Sequence, residues 1–136
     1  MKEIATLLRS MQLFAHAAHN IVSGAVFMQD HNMLGDLYPA YESEYDGVIE
    51  RIIGLSSLSM EEIIMIQESA VMRLKSIAMS QKENKGYLLV LLDMEKTLCS
   101  MIQQPVQGRT EGTKQLLGDI ADKSEQRQYK LKQRCK

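Results

Sequence analysis

The chain has 136 residues, the length of one domain, and 45% of them are hydrophobic with only two prolines. This composition excludes a disordered chain and favours a helical body over a β-sandwich. The formal net charge of −1 excludes a protein that is drawn to nucleic acid by its overall charge.

The N-terminal part of the chain predicts two long helices. Apolar residues recur at three- and four-residue steps over residues 4–22, which indicates a first helix, and Ser23-Gly24 is expected to end it. A second helix is predicted over about residues 30–53, with Gly54 placed to cap it. Because a single proline removes only one helical hydrogen bond, Pro39 predicts a kink in this helix and not a break into two.

The remaining chain predicts three further helices. Residues 59–62 read Ser-Met-Glu-Glu, a capping box in which the serine and the second glutamate satisfy each other's backbone donors. A helix of about 20 residues is expected to follow this box. Another helix is predicted over residues 83–104 and stops at residues 105–108, and the last one starts near Thr110.

Methionine is unusually frequent, with ten residues in the chain. Two sets repeat every seven residues, so that each set shares one helix face: Met65, Met72 and Met79, and Met94 and Met101. A soft-metal site is one interpretation of these sets. We predict core packing instead, because methionine commonly fills gaps in hydrophobic cores and the chain has only two phenylalanines and no tryptophan.

The two cysteines and the N-terminus indicate a cytoplasmic protein. Cys99 and Cys135 have neither the spacing of a disulfide framework nor a neighbouring metal-binding cysteine, so free thiols are expected. The sequence Met1-Lys2-Glu3 leads into a helical pattern and not into a signal peptide. No apolar run approaches the roughly 20 residues that span a bilayer, so no membrane association is expected.

Four candidate metal ligands follow one another at intervals of 12, 15 and 4 residues: His19, His31, Asp46 and Glu50. Asp46 and Glu50 lie one turn apart on one helix face, where they can share an ion. His31 and Asp46 would be about 22 Å apart along the same helix, too far to share one. A two-fold antiparallel copy of the helix brings the two ends together, and two-fold homodimers are the commonest oligomers.

A di-iron site inside a single bundle is excluded by this sequence. Such a site needs Glu-x-x-His on two helices, and no histidine follows His31. The last two helices offer leucines and methionines where such a site would need ligands, so metal chemistry is expected at an interface.

The spacing of these residues resembles the Dps-like (mini-ferritin) branch of the ferritin-like superfamily. The resemblance rests on His19-Asn20-Ile21-Val22-Ser23-Gly24, followed by Phe27, His31, Tyr38, Asp46, Glu50 and Arg51. The specific match covers residues 7–55, and residues 1–136 are interpreted as a single ferritin-like domain. Two departures are Asn20, where the family usually has tryptophan, and Gly35, where a carboxylate is often found one turn after the second histidine.

The resemblance implies an all-α, ferritin-like four-helix bundle with a long crossover connection that contains a short extra helix. It implies a homo-oligomer, a shell of twelve subunits, that oxidises Fe(II) at intersubunit sites, stores the ferric iron and protects DNA from oxidative damage. His19, His31, Asp46 and Glu50 would be catalytic ligands, and Asp36 would be a further metal ligand beside Gly35. Either peroxide or oxygen can serve as oxidant, and Gly35→Asp is expected to strengthen a second metal position.

Alternative interpretations remain for several of these features. The site can be degenerate, in a ferritin-like structural or DNA-associated protein that does not oxidise iron, or the chain can be an unrelated helical interaction module. We interpret His16 as structural, and Glu42 and Glu44 as a solvated helix face. The tail, residues 127–136, carries five cations and no acid, which suits either a solvated helix end or contact with DNA: Arg127, Lys130, Lys132, Arg134 and Lys136.

Overall fold

The computed structural model describes residues 1–78 and 80–136, and every regular element among them is a helix. The helices are α1 (Lys2–Ile21), α2 (Phe27–Leu55), α3 (Met60–Ala78), α4 (Asn84–Gln103) and α5 (Glu111–Arg134). The all-α class is therefore confirmed, and each predicted helix is present close to its expected limits.

Local signals set the ends of these helices. The Ser59 hydroxyl accepts a hydrogen bond from the Glu62 backbone N–H at 3.1 Å, and the Glu62 carboxylate accepts one from the Ser59 N–H at 2.8 Å. This is the predicted capping box, and the bond from the Ser59 backbone lowers the pKa of Glu62. Thr110 caps α5 in the same way through Thr113 N–H, and Gly24, with φ of +89°, forms the turn after α1.

Two details of the prediction are wrong. Gly54 does not cap α2, because the helix continues to Leu55 and Ser56 follows as its C-cap. The helix α3 is also not the short extra helix that the resemblance implied, since it has 19 residues, close to the length of about 20 predicted for the helix after the capping box. The helix α2 does pass through Pro39 without a break, as predicted.

Contacts at the two ends of the molecule define the helix directions. Lys2 Nζ lies 3.7 Å from a carboxylate oxygen of Glu62, so α1 and α3 start at the same end. At the opposite end, the Asn84 side chain bonds the backbone of Ser23, so α4 starts beside the α1–α2 turn. The helix α3 therefore runs parallel to α1. The helices α2 and α4 both start at the opposite end of the molecule and run antiparallel to α1.

One face of α3 packs on α1, and its opposite face is exposed. Ile66 and Ala70 are buried on the inner face, whereas Met65 and Met72 are 56% and 65% exposed. The prediction that these two methionines pack in the core is wrong, because their seven-residue repeat places both on the side of α3 away from α1. Met79, the third of the set, lies outside the described residues. In α4, by contrast, Met94 is buried.

The core lies between α1, α2, α4 and α5. Its largest fully buried side chains are mostly leucines: Leu7, Leu8, Met11, Leu34, Tyr41, Val48, Leu88, Leu91, Glu95, Leu98, Leu117 and Leu131. Glu95 differs from the other residues of this set, because it is a fully buried acid.

A network of buried charges crosses the bundle at Glu95. Arg127 donates to Glu95 through Nε at 2.6 Å and to both carboxylate oxygens of Glu44 at 2.8 and 3.1 Å. Tyr41 and Ser124 each donate a 2.5 Å hydrogen bond to Glu95. The prediction of a solvated Glu44 is therefore wrong, and so is the expectation that α4 and α5 present only apolar side chains to the interior.

Pairing outweighs burial at Arg127, whereas burial outweighs pairing at Glu44. Burial by itself lowers the pKa of Arg127, but hydrogen bonds and charges from Glu95 and Glu44 outweigh burial and raise the pKa. Burial raises the pKa of Glu44 despite the opposing effect of Arg127. Arg127 thus stays charged, while Glu44 takes up a proton at a higher pH than an exposed glutamate.

The buried network and a second ion pair reduce the number of cations that the tail presents to solvent. The side chain of Arg127 is 11% exposed, and Arg134 pairs with the buried carboxylate of Asp30. Only three of the five tail cations are exposed: Lys130, Lys132 and Lys136.

Cys99 and Cys135 are both free, as predicted. Across the described part of the chain, no helix combines the length and the apolar character needed to cross a membrane.

Candidate metal centre

His19 and His31 face each other where α1 ends and α2 begins. Their rings are stacked, with centroids 3.7 Å apart and planes inclined by 22°. His19 Nδ1 lies 2.8 Å from the backbone carbonyl of His31, and His31 Nδ1 lies 2.9 Å from the carbonyl of His19. The two candidate ligands therefore bind each other's backbone, and we call them the histidine pair.

These reciprocal hydrogen bonds determine which ring nitrogen can bind a metal. A carbonyl oxygen only accepts hydrogen bonds, so each Nδ1 must carry the proton and donate it. The lone pair is then on Nε2 of both rings. Metal-binding histidines typically have this arrangement, in which the second nitrogen donates to a carbonyl or carboxylate and fixes the ring.

Three aromatic rings, those of His16, Phe27 and Tyr38, lie close to the histidine pair. His16 stacks on Tyr38 with centroids 4.1 Å apart, and the Tyr38 ring meets His19 edge-on at 5.4 Å. Phe27 lies 4.9 Å from the His31 ring. The rings of Tyr38 and Phe27 restrict the orientation of both imidazoles, whereas His16 is exposed and contacts Tyr38.

Gly35 is the place where the His19 ring approaches α2. A Cβ atom at position 35 would lie 3.2 Å from His19 Cε1 and 3.4 Å from its Nδ1. The His19 ring therefore lies beside the position at which the Dps-like family often has a carboxylate. This changes the expectation for Gly35→Asp, because a Cβ atom at this position requires the His19 ring, a candidate ligand, to move by a few tenths of an ångström.

Gly35→Ala is expected to disturb the histidine pair, and so any metal binding there, while leaving the helix as stable or more so. Alanine favours an exposed helix over glycine by about 1 kcal/mol, but its Cβ crowds the His19 ring and disturbs its hydrogen bond. We expect Co(II) affinity, measured by titration of the absorption of the bound ion, to fall roughly tenfold.

Gly54→Ala is the matched control for this prediction, since Gly54 is in the same helix and a Cβ there meets no atom within 4 Å. It should show the gain in helix propensity without the loss of affinity. Equal Co(II) affinity in the Gly35→Ala and Gly54→Ala variants would contradict the role that we assign to the close approach at Gly35.

The candidate carboxylates lie farther along α2. Asp36, Asp46 and Glu50 are all exposed, and no ion pair among the described residues includes them. Asp46 is 15 residues from His31, or about 22 Å along the helix. Within a single copy of the described chain, no three His, Cys, Asp or Glu side chains are grouped closely enough to hold a metal ion.

The sequence found the candidate ligands but missed the buried Glu95 and Arg127. A signal for both was present, because each occupies a core position in its helix: Glu95 lies between Leu91 and Leu98, and Arg127 lies between Ile120 and Leu131. The guanidinium lies between the two carboxylates of the network, so this interior cluster already holds a cation of its own.

No family profile, curated protein or solved structure matches this chain.

Proposed function

We propose that the protein is a Dps-like member of the ferritin-like superfamily that binds Fe(II) at a site shared between subunits, oxidises it and stores the product. The observation that carries the proposal is the histidine pair, whose reciprocal hydrogen bonds leave two Nε2 lone pairs directed by fixed rings. Removal of free Fe(II) would protect DNA, because Fe(II) and peroxide otherwise generate hydroxyl radical.

The helix directions support a ferritin-like bundle. Helices α1 and α2 are antiparallel neighbours, as are α4 and α5, and α3 returns the chain to the end at which α2 began. A bundle whose second and third members run in the same direction needs such a long crossover. In this proposal, α3 is the crossover, and the other four helices form the bundle.

The separation of ligands along α2 supports a site formed by two copies of the chain. One copy offers the histidine pair at one end of the helix, and Asp46 and Glu50 at the other. In a two-fold dimer with antiparallel α2 helices, the histidines of one subunit would meet the carboxylates of its partner, twice per interface. A closed shell, which we propose to be a dodecamer, repeats this interface.

The ligand types suit Fe(II) as a substrate. Imidazole and carboxylate bind Fe(II) without filling its coordination sphere, which leaves positions for an oxidant. Two Fe(II) ions bound next to each other at one shared site would give one electron each to a peroxide molecule. The O–O bond breaks, two protons are taken up and two waters form, so hydroxyl radical is not released. The Fe(III) product then hydrolyses and can be stored.

Iron oxidation in the His31→Ala variant tests the proposal. Loss of a direct ligand should slow peroxide-dependent Fe(II) oxidation at least roughly tenfold, because even changes to groups behind the ligands cost that much in metal affinity. His16→Ala is the control, since it removes an exposed imidazole one turn from His19 and should retain most of the activity. Light scattering on the unmodified protein should report a large oligomer. A monomer, or equal rates in the two variants, would refute the shared site.

A second candidate function is a ferritin-like structural or DNA-associated protein whose metal site no longer oxidises iron. It is favoured by the His19 ring over Gly35, because no carboxylate is available at that position and Asp36 is exposed. The three exposed tail lysines would be repeated many times on a shell and could contact DNA. A large oligomer that binds DNA and does not oxidise Fe(II) would select this function over the first.

A further inference from the structure

The turn between α1 and α2, residues 22–26, links the two members of the histidine pair. It is exposed from Ser23 to Val26, and Gly24 adopts a left-handed conformation within it. A turn of this kind has little packing of its own to set its conformation. The relative position of the two histidines therefore depends on the packing of α1 against α2 and on the contacts that hold the turn from outside.

The side chain of Asn84, the first residue of α4, bonds both the backbone N–H and the backbone carbonyl of Ser23 in this turn. The Asn84 amide oxygen accepts a hydrogen bond from the Ser23 N–H at 3.2 Å, and its amide nitrogen donates to the Ser23 carbonyl at 2.7 Å. The same nitrogen lies 3.1 Å from a carboxylate oxygen of Asp30. Asn84 thus joins the turn to the residue that precedes His31.

Asp30 is fully buried and is bound from a third helix. Arg134, the last residue of α5, donates from Nε and Nη2 to the two carboxylate oxygens at 2.8 and 2.9 Å. This bidentate geometry is the strong and directional form of the arginine–carboxylate pair. Through Arg134 and Asn84, Asp30 links the first turn of α2 to the last residue of α5 and the first residue of α4. In the sequence, Asp30 is indistinguishable from an ordinary acid in the N-terminal turn of a helix.

The histidine pair is sensitive to any shift of this turn, because each ring bonds the backbone of the opposite helix. A hydrogen bond is lost when its donor and acceptor separate by a few tenths of an ångström beyond about 3.2 Å. If Arg134 is removed, the buried carboxylate of Asp30 loses two hydrogen bonds, and the first turn of α2 must shift to bring it to water. His31 is the next residue and moves with it.

We propose that Asp30, Asn84 and Arg134, which we call the turn clamp, are positioning residues that hold His19 and His31 in their reciprocally bonded, Nε2-available form. The clamp touches neither imidazole in a hydrogen bond and acts through the backbone of the turn. Its consequence for iron rests on the proposed function, whereas its effect on the histidine rings does not. The inference also assigns a role to the end of α5, which the sequence assigned to solvent or DNA.

The ring tautomers in metal-free protein test the clamp. Solid-state NMR of sedimented protein with ¹⁵N-labelled histidine reports the tautomer at any particle size, and the chain has only three histidines. The unmodified protein should show His19 and His31 as single Nδ1–H tautomers under conditions in which the rings are neutral. Arg134→Met should convert both signals to mixtures of the two tautomers, and Lys132→Met, an exposed change in the same helix turn, should not.

A second variant covers the case in which Arg134→Met does not fold. Asn84→Ala removes the three Asn84 hydrogen bonds without leaving a buried charge unpaired, and it should also give mixed tautomers. We expect Fe(II) affinity under anaerobic conditions to fall roughly tenfold or more in either folded variant. Single Nδ1–H tautomers in a folded Arg134→Met or Asn84→Ala protein, or mixed tautomers in the unmodified protein, would overturn the clamp. Tautomers that respond as expected in a protein that does not bind Fe(II) would support the clamp and refute the proposed function.

Discussion

Arg127→Met is expected to lower the free energy of unfolding by about 3–5 kcal/mol at neutral pH, the usual cost of breaking a buried ion pair from one side. Arg127 is the cation shared by Glu44 and Glu95, and Glu95 is fully buried. Methionine retains the apolar part of the side chain, so the loss comes mainly from two buried carboxylates that no longer have a partner. Chemical denaturation monitored by circular dichroism measures the change.

The destabilisation should become smaller as the pH falls. Burial already raises the pKa of Glu44 in the folded protein, and removal of the Arg127 charge, which opposes that shift, raises it further. The folded variant then binds a proton that the unfolded chain releases, so its stability falls as pH rises above the pKa of an unfolded glutamate, about 4.3. The variant should be relatively more stable near pH 5 than near pH 7.5.

Lys130→Met is the matched control for Arg127→Met, because Lys130 is exposed on the same helix and the substitution is the same. It should change stability by less than about 0.5 kcal/mol. The triple variant with Glu44→Gln and Glu95→Gln should regain part of the loss, since no unpaired charge remains buried. A cost in Arg127→Met as small as in Lys130→Met would show that the network is solvated and not buried.

If the site is shared as proposed, mixing two inactive variants is expected to restore about a quarter of the proposed ferroxidase activity. In a two-fold interface, His31→Ala removes the histidine side of each shared site and Asp46→Ala removes the carboxylate side. Random exchange of equal amounts makes about half of the interfaces mixed, and each mixed interface has one intact site of two. The rate of peroxide-dependent Fe(II) oxidation after subunit exchange measures the recovery.

A second mixture distinguishes shared sites from other causes of recovery. His19→Ala and His31→Ala both damage the histidine pair, which a single chain contributes, so no combination of these two variants contains an intact site. That mixture should stay inactive. Mass spectrometry of the mixed oligomers confirms that exchange has occurred. Recovery in both mixtures, or in neither after confirmed exchange, would contradict a site formed by His31 of one subunit and Asp46 of the other.

The sequence by itself determined the helices, because helix periods and caps depend on residues a few positions apart. The capping box at Ser59 is of this kind and is present as predicted, and α5 starts beside Thr110, close to its predicted start. The spacing of His19 and His31 also indicated a pair of ligands. It could not indicate that the two rings bond each other's backbone, which requires α1 and α2 to be in a particular register.

Tertiary structure decided which helix faces are covered. Met65 and Met72 have the spacing of a core seam, yet α3 packs on α1 through the opposite face, and both are exposed. Glu44 resembles its solvated neighbour Glu42, but Arg127, 83 residues away, makes its burial possible. Gly35 offers no side chain in the sequence, and in the structure the His19 ring packs against this position. In each case the deciding partner comes from a distant part of the chain, so local sequence could not reveal it.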